Sequence, residues 1–188
     1  MKRLDGLTMS DRRRHPEVDA IIGEVLHLLM IQWSYYEHIV KGFPNPSTTG
    51  REALYRWVIT MRVMENDMIL RLCRLDDEDR RNHSFREALK AVRGLVPDGE
   101  AKVLDKRLRT YRANINPLKN KARNWCIAHL QKGVEESLTP QFQLLRIIVE
   151  AVRIADGVAG ERVEYTFQPS KHDPVIKLRD YLKKPELD

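Results

Sequence analysis

Two features are scarce in this chain, cysteine and long apolar runs, and each scarcity narrows the field. Among 188 residues only Cys73 and Cys126 are thiols. Neither belongs to a CxxC or Cys/His spacing, so a disulfide framework or a zinc centre is not what organises the fold. No stretch reaches the ~18 consecutive apolar residues of a membrane-spanning helix, and even Val25 to Ile31 is soon interrupted by polar residues. No membrane partner is expected. The segment Met1-Lys2-Arg3-Leu4-Asp5-Gly6 lacks the apolar core and small-residue cleavage site of a secretory signal, so the chain is expected to work in a reducing cytoplasm. Strand signals, internal repeats and low-complexity tracts are also missing, apart from one extended-looking stretch, Val163 to Phe167.

Acidic residues are scarce in one region. Between Ala101 and Lys132 stand nine basic residues and a single acid, Asp105. That local charge exceeds the +6 of the whole chain, and a field of this density attracts polyanions such as RNA phosphates. A merely solvated helix face is the bland alternative.

What is abundant is helical periodicity. Residues 1–15 carry Lys2, Arg3 and Arg12-Arg13-Arg14 with little apolar content and read as a flexible basic arm, able to grip RNA or simply floppy. From Pro16 to about Lys41, Val18, Ile21, Ile22, Val25, Leu28, Leu29, Trp33, Tyr36 and Val40 recur three and four apart, the spacing of one helical stripe. Pro44 and Pro46 break it, and Ser47, Thr48 or Thr49 can cap a second helix to about Leu75. Its stripe is Leu54, Trp57, Val58, Met61, Met64, Met68, Leu72 and Leu75.

Ser84-Phe85-Arg86-Glu87 has capping-box spacing for a short helix closed by Gly94 and Pro97. A basic helix follows from about Gly99 to Ala113, burying Val103, Leu104, Leu108 and Tyr111. At Asn116-Pro117 it either kinks or restarts, and it runs on to about Gln131. Thr139-Pro140 starts a last core helix, striped by Phe142, Leu145, Ile148, Val149, Val152 and Ala155 and ended by Gly157 and Gly160. Asp173-Pro174 opens a short helix through Leu182. The expected fold is all-α, an antiparallel bundle of four to five main helices over 16–160 with a C-terminal extension over 161–188.

Arg123 and His129 lie six residues apart in the basic helix, ~9 Å along its axis and about 120° around it, a gap a long Arg can bridge. The string Leu118-Lys119-Asn120-Lys121-Ala122-Arg123-Asn124-Trp125-Cys126-Ile127-Ala128-His129-Leu130 resembles the signature of HEPN domains: Arg, a polar residue, four residues, then His. It looks especially like the abortive-infection branch of AbiU type. There a long amphipathic helical pair ends in Arg-Leu-Asp, matched by Arg74-Leu75-Asp76, and an Ile-Ala-His-Leu segment follows some fifty residues later, matched by 127–130. The resemblance covers roughly Val18 to Ala159.

The resemblance implies metal-independent, cofactor-free cleavage of RNA by a toxin or abortive-infection effector, with two copies of the motif facing each other across a homodimer and an antitoxin protein as a further partner. Residue types suit that chemistry. A neutral imidazole with an ordinary pKa of ~6.5 can take a proton from a ribose 2′-hydroxyl or return one to the leaving 5′-oxygen, the role of His129. The Arg123 guanidinium forks onto phosphate oxygens and opposes the extra charge of the transition state. Asn124 can orient His129 or the phosphate, while Arg109, Arg112, Lys119, Lys121 and Lys132 form an RNA approach surface that acts through charge. Gln131 departs from the family pattern: a tyrosine often stands two residues beyond the histidine as a modification site, so inhibition through it is not supported here. The alternative function is a non-catalytic module holding RNA, a nucleotide or a protein with the same helix.

Other residues take blander readings. His27 and His38 are ~16 Å apart along one helix, too far to share a metal, and read as partly buried structural histidines. Glu65, Asp67 and Asp76 to Asp79 lack a regular ligand spacing and read as solvated acids, except that Asp76 can set its carboxylate against a helix end or the basic helix. Trp33, Trp57, Trp125, Tyr35 and Tyr36 read as core or dimer interface before base-stacking surfaces.

Overall fold

A computed structural model describes residues 10–42, 47–77, 83–128 and 141–182, without the side chains of 10, 41, 121–128, 141 and 142. The chain is all-α. Its described elements are α1 (Ser10–Arg13), α2 (Pro16–Gly42), α3 (Arg51–Leu75), α4 (Phe85–Ala91), α5 (Asp98–Ala128) and α6 (Gln141–Ala159). A two-stranded antiparallel ribbon, β1 (Thr166–Phe167) with β2 (Ile176–Lys177), and a 3-10 turn, Leu178–Leu182, follow.

The expected core helices form, with informative differences at their ends, but the short helix expected from Asp173-Pro174 through Leu182 does not: Ile176 and Lys177 pair with β1 instead, and only the 3-10 turn over Leu178–Leu182 follows. Ser84 caps α4 by accepting from the Glu87 backbone N–H. By contrast, α3 starts after Gly50 with no side-chain cap, and Ser47 and Thr48 form a turn instead. The basic helix neither stops nor restarts at Asn116-Pro117, since α5 runs unbroken through Pro117. Pro there forfeits one backbone hydrogen bond, and burial of Tyr111, Ile115 and Leu118 along the same face carries the helix across.

Two hairpins make the bundle. Glu24 pairs with Arg71 at 3.1 Å, and His38 stacks on Trp57, so α2 and α3 run antiparallel. Arg107 meets Glu150 at 3.0 Å, and Leu104 packs on Gly157, so α5 and α6 do likewise. The last helix is the centre, with Leu144, Ile147, Ala151, Ile154 and Val158 buried as well as the expected Leu145, Ile148, Val152 and Ala155. A helix apolar on most of its surface belongs inside, and α6 accordingly touches α1 to α5.

Several expected core positions stay outside or partly so. Val40 and Val103 are more than half exposed, and the first half of α3 covers Leu54, Trp57 and Val58 only partly. Periodicity tells which side of a helix faces inward, but not how far along its length a neighbour continues. His27 and His38 are exposed rather than partly buried, and Glu65, expected in solvent, is 6% exposed on α3.

The stretch expected to be a floppy arm is tied down from Ser10 onward. Arg12 is buried, donates to both Glu100 carboxylate oxygens at 2.8 and 3.0 Å and to the Gly157 carbonyl at 3.2 Å, while Arg13 reaches Glu161 at 3.0 Å. The basic count that suggested a mobile tail therefore satisfies acids of α5 and of the turn after α6. Gly160 makes room for this lock: its φ is +73°, and a Cβ there would fall 2.9 Å from the Arg12 side chain. Gly160→Ala combines left-handed strain of about 1–2 kcal/mol with displacement of Arg12. In a chain of this size it should lower the melting temperature by about 4–8 °C, measurable by circular dichroism.

The C-terminal extension covers the aromatic side of α2. Trp33 packs on Phe167 with ring centroids 5.6 Å apart, and Tyr36 meets Tyr181 edge-on at 5.5 Å. Arg179 holds Asp156 and the Val163 carbonyl and lies over the Tyr165 ring, fastening the extension to α6. Among the described residues no helix is long and apolar enough to cross a membrane.

Candidate nucleic-acid interface

The site is built where α3 ends against the middle of α5. Asp76 follows the last residue of α3, and its backbone N–H turns back to the Cys73 carbonyl in a tight final turn. The Leu72 carbonyl is then left to an outside donor. Tyr111 of α5 supplies it, donating from its hydroxyl at 2.8 Å while its fully buried ring meets Phe85 edge-on at 5.4 Å. One buried phenol thus ties α3, α4 and α5 together.

Asp76 completes the joint. It is 8% exposed, and its carboxylate accepts from Arg112 Nε at 3.2 Å and from Lys119 Nζ at 2.6 Å. Lys119 also donates to the Asp76 carbonyl at 3.1 Å. Two cations at the C-terminal end of α3 oppose the negative pole of that helix as well as the carboxylate. The Arg74-Leu75-Asp76 element is therefore a bracket that fixes α5 in rotation and register.

Arg123 stands one turn past Lys119 on the same helix, ~6 Å farther along and about 40° around the axis. The backbone carries positions 123 and 124 inside α5, which is described as far as Ala128. The side chains of Lys121, Arg123 and Asn124, and all of His129 and Lys132, lie outside the described residues.

The RNA approach surface expected from sequence is partly committed elsewhere. Arg112 and Lys119 serve Asp76, Arg107 serves Glu150, and the acid of the stretch, Asp105, holds Arg93 at 3.1 Å. Arg109, Lys102 and Lys106 remain exposed on α5, Arg109 donating from Nε to the Asp105 carbonyl. A charge count along one segment misses acids delivered by neighbouring helices. For Glu150 no local signal existed, whereas Asp76 was marked by its place in the Arg-Leu-Asp element.

Burial at this joint, more than the charges of the bracket, raises two nearby acid groups. Burial pushes the Cys73 thiol up to about 11, with Lys119 pulling it down and Asp76 pushing it up. Burial likewise raises Tyr111 well above the usual tyrosine range, helped by the Asp76 and Cys73 charges. Both groups are held protonated by the fold, so the stability they contribute is present below their unfolded values of ~8.5 and ~10 and is lost as pH rises through the raised ones. Melting temperature should therefore fall steadily from about pH 8.5 upward. In a Cys126→Ser variant, Cys73 should react with a disulfide reagent at pH 8 about 100-fold more slowly in the native state than in urea.

Among the described residues no group of three or more His, Cys, Asp or Glu side chains is placed to hold a metal ion. A model of the AbiU2 family, a HEPN family, matches residues 16–171. The chain belongs to that family. The AbiU2 match takes in both hairpins, the Asp76 bracket, the whole Arg123 to His129 segment and β1, reaching beyond the Ala159 limit of the resemblance read from sequence. No curated protein and no solved structure matches the chain. Membership makes this an abortive-infection-related HEPN domain.

Proposed function

We propose that this AbiU2 protein is a cytoplasmic, metal-independent endoribonuclease that acts as an abortive-infection effector, as a homodimer, with Arg123, Asn124 and His129 at the cleavage site. The observation that carries the reading is the family match across the whole segment. The Asp76 bracket supports it, because it stiffens α5 one turn before Arg123, and preorganisation of charged groups is what this chemistry rewards.

In the proposed reaction His129 takes the proton from a ribose 2′-hydroxyl, and the 2′-oxygen forms a bond to the adjacent phosphorus. The bond from phosphorus to the 5′-oxygen breaks, and an imidazolium returns the proton to that oxygen. Arg123 forks onto the phosphate oxygens as charge builds there. Arg109, Lys102 and Lys106 attract the strand without reading its sequence. An antitoxin protein would act by covering this same face.

The purified chain should fragment a mixed-sequence RNA in excess EDTA. If RNA is bound with steep salt dependence yet stays intact, the protein is a binding module and the nuclease reading fails.

A further inference from the structure

The helix α3 is apolar on two sides, and the bundle uses one of them. Met61, Met68, Ile69, Leu72 and Leu75 turn inward. On the opposite side Tyr55 and Val63 are more than half exposed, and Ile59 and Leu70 a little under half. These four fall within an arc of about 80° and along ~23 Å of the helix. Ile59, Val63, Asn66 and Leu70 follow one another at steps of four, three and four, the heptad spacing of a coiled-coil seam, in which a single Asn fixes the register. Such a seam is normally covered by a second helix. Here its apolar members face solvent.

The charges beside the seam select the kind of helix that fits. Among the exposed residues of α3 stand Arg51, Arg56, Arg62 and Arg74, with Glu52 as the opposing acid. The Arg56–Glu52 bridge at 2.6 Å has both side chains 77% exposed, and a pair so open to water contributes little and gives way to an incoming acid. Asp67, half-covered beside the seam, is turned to Arg71 at 3.4 Å, and Arg74 finds Glu24 only at 4.0 Å. A second copy of this chain laid on the seam would set these arginines against their own counterparts, which costs affinity. RNA would use the arginines but not the seam, since bases stack on rings and only Tyr55 among the four exposed apolar side chains has one. A helix with aliphatic seam residues and acidic flanks meets both demands.

We propose that the outer face of α3 is a docking seam for an acidic amphipathic helix of another protein. Ile59, Val63 and Leu70 are its anchors, Asn66 sets the register, and Arg56, Arg62 and Arg74 face the acids of the incoming helix. The seam needs neither Arg123 nor His129 and goes beyond the nuclease reading.

The test uses the full chain and two fluorescent peptides three heptads long, each with Leu in the seam positions except for one Asn. One peptide carries Glu on its flanks and the other Lys. In ~0.15 M salt, where loose surface attraction is largely screened, fluorescence anisotropy should show the Glu peptide bound at least tenfold more tightly than the Lys peptide. The Val63→Gln, Leu70→Gln double variant should lose at least tenfold in affinity for the Glu peptide with an unchanged melting curve, because both side chains are exposed. Arg56→Glu should narrow the preference at least threefold, whereas Lys102→Glu, exposed on α5, should change it less than twofold. His129→Ala should bind the peptide as the wild type does, so docking and cleavage stand or fall separately. A Glu peptide bound no more tightly than the Lys peptide, or bound equally by the double variant, would overturn the proposal. Sedimentation of the chain alone that shifts from dimer to monomer in the double variant would give the seam to a second copy, and a tenfold loss of RNA affinity there would give it to RNA; either result overturns it too.

Discussion

His129→Ala should lower the rate of RNA cleavage by about 10²–10⁴-fold, the usual contribution of a positioned acid or base. Arg123→Ala should cost about 10²–10³-fold, the scale of losing one preorganised donor to developing charge. Because the groups act on one transition state, the double variant should be little slower than the worse single one. Arg123→Lys is the sharper probe. It keeps the charge but loses the planar fork, so its rate should fall between wild type and Arg123→Ala. All variants should melt within a degree or two of wild type, and RNA affinity should drop only a few-fold, since Arg109, Lys102 and Lys106 remain exposed on α5. Single-turnover cleavage at saturating protein separates these rate effects from binding. Activity within threefold of wild type in either alanine variant would remove that residue from the site.

Asp76→Ala should be the most damaging change to the fold outside the apolar core. It strips two cations of their shared acceptor, and their side chains are only 32% and 25% exposed. Removing one partner of a fully buried pair costs about 3–5 kcal/mol, and the partial exposure here brings the expectation down to about 2 kcal/mol. In a chain of this length that is a fall of roughly 4–8 °C in melting temperature. Asp76→Asn keeps the volume and can still accept one bond, so it should lie between. Cleavage measured well below the new melting point should fall as well, because α5 loses the contact that fixes its rotation one turn before Arg123. A melting curve that does not move would show that the bracket holds nothing in place.

The helices and their inward faces could be read from sequence because three-and-four spacing is a local property. Val18, Ile21, Val25, Leu28 and Leu29 of α2 are all buried, as are Met68, Leu72 and Leu75 of α3. What sequence does not encode locally is who stands opposite. Val103 sits at a plausible core spacing yet faces solvent, and Glu65 sits among acids read as solvated yet is covered. Arg12, one of three consecutive arginines that suggest a loose tail, finds Glu100 eighty-eight residues away. Such pairings follow from tertiary geometry alone.

The candidate site divides the same way. The Arg-Leu-Asp element pointed to Asp76 before its partners were known, and the partners proved to be Arg112 and Lys119, two residues first assigned to RNA contact. Their charge is spent on the fold, and the outward field of α5 is correspondingly weaker than its count of basic residues suggests.

The proposed transfer of the ribose 2′-hydroxyl proton dictates which ends RNA cleavage leaves. Mapping the new ends formed in excess EDTA tests it most directly. Fragments ending in a 2′,3′-cyclic phosphate, paired with 5′-hydroxyl ends and missing when His129→Ala replaces the wild type, are the predicted result. Fragments ending in a 3′-hydroxyl, or no fragments from a protein that binds RNA, would contradict it.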